Sequence, residues 1–100
     1  MPSINITVPH ELGEEEAVSR IKHYLERVKE RHQDKVSNLV EAWEGNQLSG
    51  GFTTYGFNIK GDVKIEPGEV KLNGSLPMAA IMFKGKIEQT IKDELKRLLS

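Results

Sequence analysis

Between residues 36 and 75 four tight-turn signals recur at intervals too short to hold a crossover helix. They are Glu44-Gly45-Asn46-Gln47, Tyr55-Gly56, Pro67-Gly68 and Asn73-Gly74. Parallel neighbours need a connection of a dozen or more residues, so the segments between these signals must pair mainly antiparallel. Their composition agrees with strands. Val36 to Trp43 carries Leu39, Val40, Ala42 and Trp43, and Leu48 to Thr54 carries Phe52. Phe57, Ile59, Val63 and Ile65 alternate, and Val70 and Leu72 return beyond Pro67-Gly68. In that pair proline presets φ and glycine accepts the positive φ of the next position. Tyr55-Gly56 reads as a bend or bulge. Gly61, on the apolar face of its strand, reads as a bulge, a curve or a point of close packing. Asn73-Gly74 is expected to close the run.

The flanks add one strand and two helices. Ile4, Ile6 and Val8 alternate with Ser3, Asn5 and Thr7, and Pro9 ends that ladder. Glu14-Glu15-Glu16 then suits the positive end of a helix running to about Asp34, with Ala17, Ile21, Leu25 and Val28 as its apolar stripe. Pro77 is placed to open a last helix, in which Ala80, Phe83, Ile87, Ile91, Leu95 and Leu98 recur at helical spacing. The resulting class is α+β, in the order β-α-β-β-β-β-α. A curved, mainly antiparallel sheet should bury one face beneath two helices, the long C-terminal one packed across it. A fully buried Phe83 would make Phe83→Ala cost roughly 3 kcal/mol. Residues 1–100 are expected to form a single domain, since half of such a chain is too small for its own core.

The totals exclude several functions. Fourteen basic against fifteen acidic residues leave a net charge of -1, so no broad positive field exists for nucleic acid, and none is expected as a partner. Without cysteine there is no disulfide, thiolate ligand or cysteine nucleophile. The opening Met1-Pro2-Ser3-Ile4-Asn5-Ile6 has neither a basic leader nor an apolar signal core. The longest largely apolar run, Leu76 to Phe83, is far short of the ~20 residues of a membrane span. A cytoplasmic location is expected, with no transmembrane segment.

No catalytic, cofactor or metal site emerges. His23 and His32 are nine apart, not at the three or four that join ligands on a helix, and His10 reads as a turn residue. Glu11 and Glu14 to Glu16 lack the spacing of a calcium loop. Ser19, Ser37, Ser49 and Ser75 lack a nucleophile's strand-turn-helix setting, and Gly45, Gly50, Gly51 and Gly56 lack the lysine of a phosphate loop. An enzyme is not expected.

Two features invite binding. Trp43, Phe52, Tyr55 and Phe57 are either ordinary core or the lining of a groove for a small hydrophobic ligand, between the curved sheet and the last helix. Met78, Ile81 and Met82 form the second. At 100° per residue Met78 and Met82 point almost opposite the Ala80–Phe83–Ile87 stripe, with Ile81 between the faces. Three readings stand. The first helix or a loop covers them, they line a ligand groove, or they form an exposed patch for a second copy or another protein.

Several segments carry a resemblance that runs over nearly the whole chain. They are Ile6 to Gly13 (ITVPHELG), the charged Ala17–Leu25 helix, the Trp43-Glu44-Gly45 turn, the glycine-containing strands, and Leu76-Pro77 followed by Ala79, Ala80 and Phe83. In these the chain resembles the polyhydroxyalkanoic acid system proteins, a granule-region family whose genes tend to accompany storage-polymer metabolism. The topology also resembles a shortened helix-grip domain, the curved-sheet architecture of lipid carriers and polyketide-cyclase-like proteins. The resemblance implies a non-enzymatic accessory or binding protein, in the cytoplasm and at storage granules or their protein machinery, and it adds a granule surface to the partners that Met78, Ile81 and Met82 could meet. The alternative it implies is a carrier of a small hydrophobic ligand.

Overall fold

The computed structural model describes residues 3–31, 37–54 and 56–100. Strand β1 (Ser3–Pro9) leads into helix α1 (Glu14–Arg31). Four strands follow: β2 (Ser37–Glu44), β3 (Gln47–Thr54), β4 (Phe57–Glu66) and β5 (Glu69–Ser75). A 3₁₀ segment (Met78–Phe83) then runs directly into helix α2 (Lys84–Leu99). The fold is α+β. All strand pairs are antiparallel, in the order β1-β5-β4-β3-β2, so α1 carries the chain from one edge of the sheet to the other. The positions of His32, Val36 and Tyr55 fall outside the described residues.

Strand alternation selects the buried face. Ile4, Ile6 and Val8 are buried on β1, Val70 on β5, Ile59 and Ile65 on β4, and Leu48 on β3. The register aligns Ile6 with Leu72 and Val63, and Val8 with Val70 and Ile65, so each apolar row crosses several strands. Helix α1 supplies Ala17, Ile21 and Val28 from above, and α2 supplies Ile87 and Leu99. Ile91, Leu95 and Leu98 are half-buried against this core. Helix α2 lies over β1, while α1 packs on β4 and α2. Arg20 ties the helices by donating from one nitrogen to the Leu98 and Ser100 carbonyls at the end of α2. The Tyr24 hydroxyl donates to Glu94 at 3.1 Å; burial, and then that carboxylate, hold the phenol above its ordinary pKa.

The turns follow their residues. Gly45 takes φ +61° at the first position of the Glu44–Gln47 hairpin, and Gly68 takes φ +91° after Pro67. His10 N–H donates to the Gly68 carbonyl, so the pairing bonds of β1 sit on its even-numbered residues. The Pro9 nitrogen therefore lies on the free edge, where a missing N–H costs nothing.

Two expectations need correction. Asn73-Gly74 does not close the run, because β5 continues to Ser75 with Gly74 opposite both Ile4 and Gly61. Glycine is needed there for packing and not for a turn. Gly50, Gly61 and Gly74 form one row across the buried face, and a Cβ on Gly61 would lie 2.3 Å from the Asn73 carbonyl oxygen. The register through Gly61 is unbroken, so it marks close approach of coiled strands rather than a bulge. The irregularity lies instead in β2, between Ser37 and Val40, where Asn38 has φ +54°.

Phe83 is the second correction. It is 42% exposed, because the chain changes from three to 3.6 residues per turn there, with φ −99° and ψ 0°. That change breaks the continuous stripe expected from Ala80 to Ile87. The ring instead meets Phe57, centroid to centroid at 5.9 Å. The cost of Phe83→Ala accordingly falls to about 1–2 kcal/mol.

Candidate functional site

Pro77 cannot donate a hydrogen bond, and its carbonyl accepts the Ala80 N–H at 2.9 Å to start the 3₁₀ segment. At three residues per turn, Met78 stacks over Ile81, Ala79 over Met82, and Ala80 over Phe83. Leu76 and Ala80 are fully buried and anchor the segment. The other two rows consequently face out. Met78 is 69% exposed, Ile81 54% and Met82 90%. Neither α1 nor a loop among the described residues covers them.

The aromatic candidates do not converge. Trp43 lies opposite Leu48 in the row of Val63, whereas Phe52 lies opposite Ile59, and Phe57 closes the far end of β4. The glycine row, continued onto β2 by Glu41, runs between Trp43 and the two phenylalanines. All three rings are half-buried against the core. Tyr55 is outside the described residues. Two open surface depressions have other linings. One, of about 500 Å³, is bordered by Ser49, Lys60, Asp62, Asn73 and Ser75. The other, of about 290 Å³, lies between β1 and α2, beside Asn5, Thr7, Glu88, Gln89 and Lys92.

A polar constellation on the buried face was not anticipated. Glu41 accepts from Lys29 of α1 and, at 2.8 Å, from Trp43 Nε1, while Lys22 stands 4.9 Å over the Trp43 ring. Burial pushes the Glu41 carboxyl up, but the hydrogen bonds from Lys29 and Trp43 and the charges of Lys29 and Lys22 outweigh it. The carboxyl is held below the ordinary glutamate value. The signal was present in the phase of the strand: Leu39, Glu41 and Trp43 share a face, and Val40, which looks like core, is 64% exposed opposite them. This cluster joins α1 to β2.

His10 is a second structural polar group. Its Nδ1 accepts from Leu12 N–H at 3.1 Å, which leaves Nε2 to donate to the Glu66 carbonyl at 2.8 Å. The ring thus pins the β1–α1 connection to the β4–β5 turn. His23 is exposed, with Nδ1 2.8 Å from the Ser19 carbonyl oxygen. His32 is outside the described residues. Glu14 to Glu16 occupy the first turn of α1, where Glu16 also pairs with Arg20 at 3.0 Å. Among the described residues, no three acidic or histidine side chains gather as a metal-binding group, and no helix is long and apolar enough to cross a membrane.

Comparison with curated proteins and with solved structures returns no match. A match to one family extends across almost all of the sheet and both helices, from the second residue of β1 to the end of α2. Over residues 4–99 the chain belongs to the family named "Putative polyhydroxyalkanoic acid system protein".

Proposed function

We propose that this is a non-catalytic accessory protein of polyhydroxyalkanoate storage, acting in the cytoplasm and docking on the storage granule through Met78, Ile81 and Met82. The observation that carries this reading is the outward placement of three large apolar side chains on one short segment. A helix that only covers a sheet has no need of them. Methionine is flexible and polarisable, which suits an irregular polymer surface. Completing the burial of each side chain contributes about 1–2 kcal/mol, enough for reversible docking and too little for permanent insertion. Family membership supplies the storage system as the setting.

The carrier reading has weaker support. Trp43 stands apart from Phe52 and Phe57, and none of these rings lines either depression.

Sedimentation with isolated polyhydroxyalkanoate granules tests the proposal, comparing the natural protein with Met78→Glu/Met82→Glu. The variant is expected to keep its circular dichroism and lose granule association. Light scattering of both proteins separates granule docking from self-association through the same patch. Unchanged sedimentation of a folded variant would overturn the granule reading.

A further inference from the structure

The two edges of the sheet, β1 and β2, are protected very differently. Strand β2 is blunted twice. Its ladder with β3 slips between Ser37 and Val40, where Asn38 takes φ +54°, and its Glu41 carboxylate points inward to Lys29 of α1. Strand β1 carries neither device. Its residues Ser3–Pro9 include no charge, and their register with β5 is unbroken. The even-numbered residues bond to β5, so the amides of Ser3, Asn5 and Thr7 point away from the sheet, and these residues are exposed. A regular, uncharged edge rich in isoleucine, threonine and valine is a template for a further strand.

Helix α2 leaves this edge open. One stripe of the helix, Gly85, Glu88, Gln89 and Lys92, stands beside Asn5, Ile6 and Thr7 across a groove of about 290 Å³. Gly85 has no side chain to reach across it, and Gln89 donates along the helix to Asp93 at 2.7 Å.

The sequence of β1 also fits itself. Two copies running antiparallel, with Asn5 opposite Asn5, set Ser3 against Thr7 on the outer face and Ile4 against Ile6 on the inner one. Polar meets polar, apolar meets apolar, and no charge faces a charge. Ser3, Asn5 and Thr7 of each copy then donate across the seam, and Pro9, which cannot donate, lies outside that stretch. Pairing β1 with β2 of the next copy would meet the slip at Asn38 and build an open chain of copies, whereas β1 on β1 closes.

We propose that β1 is the interface with a second copy of this chain, paired strand to strand about a two-fold axis so that two five-stranded sheets become one continuous sheet. The axis is perpendicular to the sheet, so both α2 helices lie on the same side of it, and their polar stripes border the seam. The interface is separate from Met78, Ile81 and Met82 and does not depend on the granule reading.

Sedimentation velocity over a concentration series reaching about 0.5 mM tests this. The natural protein is expected to pass from monomer to dimer, and the Asn5 and Thr7 amides to gain protection from hydrogen exchange as it does. Thr7→Pro removes one donor per copy from the seam, at a position oriented like Pro9, and is expected to weaken the dimer about thirtyfold. Asn5→Lys sets like charges opposite each other on an exposed face. It should weaken the dimer about fivefold with circular dichroism unchanged. Val40→Lys, on the other edge strand, and Met78→Glu/Met82→Glu should leave the dimer intact. A chain that stays monomeric throughout, or a dimer that withstands both β1 variants, would overturn the proposal. So would a dimer abolished by Val40→Lys or by the methionine variant, which would place the interface at β2 or at the 3₁₀ segment.

Discussion

The two helices of this protein begin in opposite ways. Helix α1 starts with Glu14, Glu15 and Glu16, complementary to its dipole, and Ala17 N–H bonds back to Gly13. The preceding loop is fastened by His10 to two other segments. Helix α2 starts with Lys84 and Lys86, has no side-chain cap at Phe83, and follows a segment whose large apolar residues face outward. The first start complements its helix dipole, and the second opposes its own while turning large apolar residues outward. Departures of that kind concentrate where a protein does something other than hold itself together.

The comparison can be broken most directly at Leu76 and Met82, six positions apart at the second helix entrance. Leu76 is fully buried and Met82 is 90% exposed. Leu76→Ala is expected to cost about 2–5 kcal/mol and Met82→Ala less than about 0.5 kcal/mol, measured by urea unfolding. Comparable losses would mean that Met82 is covered and is not part of a free surface.

Glycines sharpen the same contrast. Gly61→Ala forces a methyl group against the Asn73 carbonyl and is expected to cost about 3 kcal/mol. A methyl at Gly85 meets nothing, and Gly85→Ala should stabilise the start of α2 by about 0.5–1 kcal/mol. Thermal unfolding of the pair measures both signs, and a stable Gly61→Ala would contradict the close packing of β4 on β5.

At the first entrance, His10→Ala removes the acceptor for Leu12 N–H and the donor to Glu66, with an expected cost of about 1–3 kcal/mol. Its granule binding should be unchanged while the protein is folded. A selective loss of binding would place function at the β1–α1 connection.

The smallest effect concerns pH. Glu41 has its carboxyl held below the ordinary value in the folded protein, so its contribution is present above the unfolded value and is lost as pH falls through the folded one. Stability should therefore decline on the acid side of about pH 4. Trp43 fluorescence should report the loosening, since its indole nitrogen donates to this carboxylate. Glu41→Gln should flatten the decline, and an identical acid profile in that variant would remove Glu41 from the account.

Much of the fold was legible in the chain because its signals are local. Alternation at Ile4, Ile6 and Val8 marks a strand whatever lies above it, and Pro67-Gly68 makes the same turn in any antiparallel pair. Ala17, Ile21 and Val28 define the inner stripe of α1 by spacing alone. Asn73-Gly74 misled because a turn and a crowded strand ask for the same small residue. Phe83 misled because one helical period was assumed through a segment that uses two.

For the candidate site, the sequence by itself determined that Met78 and Met82 point away from the apolar stripe of the last helix, with Ile81 between the faces. Only the tertiary structure decided that neither α1 nor a loop among the described residues covers them, and that the aromatic residues lie on both sides of a glycine row. It also decided that Glu41 is a partly buried tie between α1 and β2. The physical reason is that periodicity describes the direction of a side chain relative to its own backbone, whereas burial depends on which distant segment arrives in that direction.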